Sequence, residues 1–335
     1  MRAKKSRWTR FLIVAAIFLL SVTGCAREKK PEPSIPEQTE EKAQEKPAIP
    51  QALGSTDGQE PRLKVYIKEE GRVQEMAFEE YVAGVVGGEI KNDWPMEAIK
   101  AQAIIARTFV LKFIKDKGQS KYGNAHISTD IEEAQAWNKE AVNDRIRKAV
   151  EETRGQVIIY EGDYVNAWFH SNAGGKTATA VEGLAYKEGN PPYIQVVESP
   201  DDSSFIPSDE KTWVAEFSKQ EIIQAVQQMG KQVENFSSIK IGKKGPSGRA
   251  MEIMLDSVPV SAPELRIALG STKIKSTLLD EVAVEGDRVI FKGRGYGHGV
   301  GMSQWGAYNM AEQGKKAEDI IKHYFKGVEI VKLWP

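Results

Sequence analysis

The chain has 335 residues, of which 41% are hydrophobic and 28% charged, with a formal net charge of −1 and one cysteine. That length can bury a sizeable core, in one large domain or two smaller ones. The charge balance excludes the basic footprint of a nucleic-acid binder, and the lone cysteine excludes a disulfide framework or a thiolate zinc site.

The first 24 residues read as an export signal. Arg2, Lys4, Lys5, Arg7 and Arg10 precede the apolar run FLIVAAIFLL, which is too short to span a bilayer comfortably. Val22-Thr23-Gly24-Cys25 resembles a bacterial lipobox, which predicts lipidation of Cys25 and a lipid-anchored protein on the extracytoplasmic face of the cell membrane; the alternative is an uncleaved helical anchor. Removing residues 1–24 takes away five positive charges and moves the net charge from −1 to −6, against any nucleic-acid partner. Residues 25–60, rich in Glu, Lys, Gln and Pro, predict a disordered tether, and residues 61–335 one large folded body.

At the front of that unit LKVYI alternates like a strand, and Phe78, Val82, Val85 and Val86 recur at helical spacing. Gly87 and Gly88 should fray this helix. Glu89 follows, where the negative end of the helix dipole and apolar neighbours favour a protonated carboxyl, opposed by Lys91; a raised pKa suits a general acid. The alternative is an ordinary surface glutamate. Asn92, Asp93 and Pro95 predict a second helix start, with Ile99, Ala103, Ala106, Val110 and Phe113 as one narrow apolar stripe. Lys100 and Arg107, two turns apart on one flank, either grip an anionic or hydroxyl-rich ligand or form a solvated face.

GQVIIY and YVNAWFHS flank an EGD turn and predict a β-hairpin that delivers His170, Ser171 and Asn172 to a glycine-rich loop. Residues 212–230 read as helix, and 238–291 as strands and turns with a short helix near Pro263 to Ala268. In GRGYGHGVGMSQWG, glycine occupies every second position from Gly293 to Gly301, the period of an extended strand with one bare face and one carrying Arg294, Tyr296, His298, Val300 and Met302. Such a face marks close approach by a ligand or by neighbouring backbone. Ser303 should cap a helix through Met310, and AEDIIKHYF supplies the last helix.

Several chemistries are excluded. The glycine run fails the dinucleotide spacing, and AGGKT at 173–177 fails as a P-loop because His170 stands where its first glycine belongs. There is no His-Glu-x-x-His motif, and GMSQWG is one residue too long for a nucleophile elbow. With His126, His170, His298 and His323 scattered, the sequence predicts no dedicated metal site and no cofactor.

Taken together, EEYVAGVVGGEI, WPMEAIKAQAIIARTF, TRGQVIIY, FHSNAGGKT, ELRIALGSTKIKST and GRGYGHGVGMSQWGAYNMAEQGK resemble the stage II sporulation protein D family over most of residues 61–330. The resemblance implies an α+β fold of mixed or antiparallel sheets with packed helices. It implies a lytic transglycosylase that cuts peptidoglycan glycan strands already stripped of stem peptides, beside an amidase and with a membrane scaffold as a further partner. Glu89 would be catalytic acid and base, and Lys100, Arg107, His170, Ser171, Tyr296, His298 and Gln304 would contact substrate. The bare glycine face would then admit a sugar chain or the Glu89 loop, and Trp305 and Tyr308 would pack on sugar rings or in the core. Some members carry cysteine and histidine zinc ligands where this chain reads HISTDIEEAQAW; without a cysteine there, the metal is not carried over. The rival reading is a non-enzymatic glycan binder that enhances an amidase, which needs sugar-facing aromatics but no ionisable group at position 89.

Overall fold

The computed structural model describes residues 46–201 and 204–335; Cys25 and the signal segment lie outside them. Residues 46–60, expected within the tether, lie on the folded body instead: Pro50 is buried, Ile49 and Leu53 pack on the core, and Tyr164 Oη donates to Ala48 O at 3.2 Å.

β1 (Arg62–Ile67) buries Leu63, Val65 and Ile67 by simple alternation and pairs antiparallel with β2 (Arg72–Ala77). α1 (Phe78–Glu89) follows at once, and then α2 (Met96–Lys117). Rather than showing one apolar stripe, α2 is buried at every residue from Ala101 to Thr108, because α1, the helices at 304–312 and 317–324 and their neighbours surround it and its alanines allow close approach. β3 (Ile127–Ser128) runs parallel to β1, and α3 (Asp144–Glu152) packs on α2. The expected hairpin forms only in part. β4 (Gln156–Tyr160) pairs with a two-residue β5 (Asp163–Tyr164), whereas β6 (Phe169–His170) joins a different sheet.

After two short helices, α4 (Ala180–Leu184) and α5 (Ser208–Lys211), a second hydrophobic core begins. Its first element corrects the helix expected over 212–230. β7 (Thr212–Ser218) alternates buried Trp213, Ala215 and Phe217 with exposed neighbours. Only then does α6 (Lys219–Gln228) start, at a capping box between Ser218 and Glu221. β8 (Ile239–Ile241), β9 (Glu252–Leu255) and β10 (Val258–Ser261) form one antiparallel sheet; after α7 (Ala262–Ala268), β11 (Leu279–Glu285) and β12 (Arg288–Arg294) form another with β7.

The chain then returns to the first core through β13 (Met302–Ser303), parallel to β6, and through α8 (Gln304–Glu312), α9 (Ala317–Tyr324) and β14 (Glu329–Lys332), antiparallel to β4. Ser303 Oγ caps α8 by accepting from Gly306 N at 3.2 Å. These small mixed and antiparallel sheets with packed helices make the fold α+β.

The glycine run is not the extended strand its period suggested. Strand β12 stops at Arg294, and Gly295, Gly297, Gly299 and Gly301 all take positive φ, at 74°, 110°, 84° and 71°. Their missing side chains admit the protein's own chain. A Cβ on Gly297 would stand 2.6 Å from His170 Cβ, one on Gly299 2.5 Å from the Arg249 guanidinium, and one on Gly301 would run into the Trp168 carbonyl oxygen. The bare face is therefore filled by residues 168–174 and Arg249, leaving no room there for a sugar chain. Gly301→Ala should lose about 2–5 kcal/mol of stability, combining left-handed strain with overpacking, as read from urea midpoints.

Candidate functional site

Glu89 is the last residue of α1, and the glycines before it explain how it is held. Contrary to the expected fraying, Gly87 and Gly88 stay helical. A Cβ on Gly87 would lie 2.7 Å from Asn138 O, and one on Gly88 2.6 Å from Trp137 N. Without those side chains the segment 136–138 lies against the helix, Asn138 N donates to Gly84 O at 2.9 Å, and Ala136 N donates to Glu89 Oε1 at 2.7 Å. Burial pushes the half-buried Glu89 carboxyl up to about 7, and the Ala136 hydrogen bond, which favours the ionised form, opposes it without winning.

Beneath Glu89, Gln304 Nε2 donates to its backbone carbonyl at 3.2 Å and to Gln102 Oε1 at 3.4 Å. Gln304 is buried, so it positions the end of α1 rather than meeting a substrate directly. Past Glu89 the chain places the Trp94 ring 4.7 Å from Trp305 and 5.2 Å from Tyr308, while the Lys91 ammonium lies 5.8 Å over the Trp305 ring. Trp305 and Trp94 are buried and belong to the core; Tyr308 is the member of this trio that is half-exposed. Trp305 Nε1 donates to Glu210 Oε2 at 3.1 Å, and Ser171 Oγ donates to the same oxygen at 2.5 Å. Of these two expected contacts, Gln304 thus meets the Glu89 backbone, while Ser171 meets Glu210 beside Trp305.

The other expected substrate contacts are elsewhere engaged. Arg107 is fully buried, donating to Glu79 Oε2 at 2.6 Å and Gln156 O at 2.8 Å, with Glu79 also accepting from Gly155 N and Trp334 Nε1. It is a core ion pair and cannot grip a ligand. Lys100 pairs with Glu152 at 2.6 Å and Glu97 at 3.2 Å. His170 is buried under the glycine run, its Nδ1 donating to Val300 O at 3.1 Å, and burial holds its pKa well below the ordinary value. Its ring lies 5.6 Å from His298, whose Nδ1 accepts from Val300 N at 3.0 Å and which is pushed down to about 3 by burial and by Arg266 and Arg249. Both imidazoles are neutral at physiological pH; His170 is a buried support, whereas His298 is half-exposed and lines a cavity with Gly183, Pro263 and Arg266. Tyr296 pairs through its backbone with Asn172, under the Lys275 ammonium.

Sequence reasoning missed Trp94, Gln102, Glu210 and Arg249. Gln102 had a signal, as a polar residue within the apolar AQAIIA run; Glu210 had none. Arg249 is a buried staple donating to Ala173 O at 2.6 Å and Lys176 O at 2.8 Å. The stretch around His126 does not fit a zinc site. His126 Nδ1 accepts from Lys64 N at 3.1 Å, and Asp130 is bonded to Lys68, Lys121 and Tyr122, which hold its carboxyl well below the usual range.

The comparisons match this two-core organisation. A family model described as stage II sporulation protein matches residues 66–160, within the first core, and one described as a domain of unknown function matches 195–301, spanning the second core and the glycine run. Stage II sporulation protein D of Bacillus subtilis is 30% identical over 80% of this chain and 78% of its own. A Bacillus subtilis protein named amidase enhancer is 27% identical over 74% of this chain, but only 40% of that protein is covered. Stage II sporulation protein D of Bacillus amyloliquefaciens is 32% identical over 83% of both chains, and the protein belongs to the stage II sporulation protein D family.

Proposed function

We propose that the protein is a peptidoglycan lytic transglycosylase, cleaving peptide-stripped glycan strands between N-acetylmuramic acid and N-acetylglucosamine. The observation that carries this reading is Glu89, a half-buried, backbone-anchored carboxyl whose pKa of about 7 lets it give and take a proton near neutrality. Ordinary glycosidases use two carboxyl groups. Here one serves twice: Glu89 in its acid form protonates the bridging oxygen as the bond to the muramic acid C1 breaks, and N-acetylglucosamine leaves with a free 4-hydroxyl. The resulting carboxylate takes the proton from the muramic acid 6-hydroxyl as O6 bonds to C1. A 1,6-anhydro ring forms, no water is consumed, and Glu89 ends protonated. Intramolecular attack supplies the proximity advantage that a second positioned group would otherwise provide.

Lipidation of Cys25 would hold the enzyme on the extracytoplasmic face of the membrane, beside an amidase that strips stem peptides and a membrane scaffold. The relative named amidase enhancer favours a second reading, in which the protein binds glycan and stimulates that amidase without cutting. Incubating the protein with purified peptide-free glycan and weighing the fragments separates the two. Fragments one water lighter than hydrolysis products are expected, with kcat/KM falling about tenfold per pH unit above about 7 as free Glu89 ionises. Stimulation of an amidase with no shortening of glycan would leave the binding reading.

A further inference from the structure

We propose that Glu210 is a second carboxylate of the glycan site, accepting a hydrogen bond from a sugar hydroxyl or acetamido N–H; this rests on the glycan-cleaving reading above. Glu210 lies on α5, which is tied to the strand end below it by Asn172 Nδ2 donating to Glu210 O at 3.2 Å. Both donors that reach its carboxylate, Ser171 Oγ and Trp305 Nε1, bond to Oε2. Among the described residues no lysine or arginine forms an ion pair with Glu210 and no hydrogen bond engages Oε1, although the group is only half-buried. An anionic oxygen in that position retains capacity for a donor, and hydrogen bonds to charged groups are the stronger class.

The place is also right for a sugar. The first two residues of α8 bridge the two acidic residues, Gln304 bonding to the Glu89 backbone and Trp305 to the Glu210 carboxylate. Beside them Phe205, 67% exposed, lies 6.0 Å from the half-exposed Tyr308, a pair of rings with apolar surface for a pyranose face. On stem-peptide-free glycan the sugar hydroxyls and acetamido N–H groups can donate to a carboxylate left without a cation, whereas the lactyl carboxylate exposed on muramic acid must lie away from it.

Glu210→Gln is the informative change, because the amide oxygen can still accept from Ser171 and Trp305 while an NH2 group replaces the second acceptor. Peptide-free glycan strands should be titrated calorimetrically into Glu89→Gln and into the Glu89→Gln/Glu210→Gln double variant, with thermal midpoints and tryptophan fluorescence verifying that both keep the native fold. Affinity is expected to fall about tenfold or more. Equal affinities in two folded proteins would overturn the role of Glu210 and leave the lytic reading standing. Glu210-dependent binding by a wild type that makes no anhydro ends would uphold this inference and sink the lytic reading. An unchanged affinity with a hundredfold lower kcat for Glu210→Gln alone would also overturn it, making Glu210 an acid or base instead.

Discussion

Glu89→Gln is expected to lower glycan cleavage by at least ~10²–10⁴-fold while glycan binding survives, because the amide keeps the size and the acceptor for Ala136 N but cannot exchange a proton. The same substitution should stabilise the protein above neutral pH. Burial raises the Glu89 pKa from 4.5 to about 7, so the folded state holds a proton that the unfolded state has already released. Below pH 4.5 both states are protonated and the residue contributes nothing. Between that value and about 7 stability falls as pH rises, and above 7 the penalty is complete, on the order of 3 kcal/mol. Urea unfolding at pH 5 and pH 8 measures it: the advantage of the variant should grow with pH. A pH-independent difference would show that Glu89 has an ordinary pKa and remove the physical basis for its acid role.

Arg107→Met should destabilise the protein by about 3–5 kcal/mol, since it leaves Glu79 buried without its cation. Gly155 N and Trp334 Nε1 still donate to that carboxylate, but they are neutral. Adding Glu79→Gln should recover part of the loss, because the uncompensated charge disappears; chemical denaturation of the single and double variants reads the coupling. An Arg107→Met protein that unfolds like wild type yet binds glycan tenfold more weakly would reinstate Arg107 as a ligand contact.

The sequence by itself determined the local elements whose periodicity and caps agree with their burial. β1 alternates, α1 runs from Phe78, α8 starts at the Ser303 cap, and α9 follows, each legible because neighbours in sequence specify it. Glu89 was legible only as one of two readings, a carboxyl held protonated at a helix end or an ordinary surface glutamate, and it was the family resemblance that singled it out. The tertiary structure decided whatever depends on residues far apart in the chain. Arg107 and Lys100 share a helix flank in sequence, but burial against Glu79, 28 positions away, makes one a core ion pair, while Glu152 captures the other. The glycine period of two implied a strand, yet positive φ at alternate residues gives the same spacing, and only the packing of residues 168–174 reveals which applies. The pKa of Glu89 rests chiefly on desolvation by the folded surroundings, including a loop 47 positions away and α8 more than 200 away. Desolvation is set by how completely distant segments exclude water, and no local pattern encodes that.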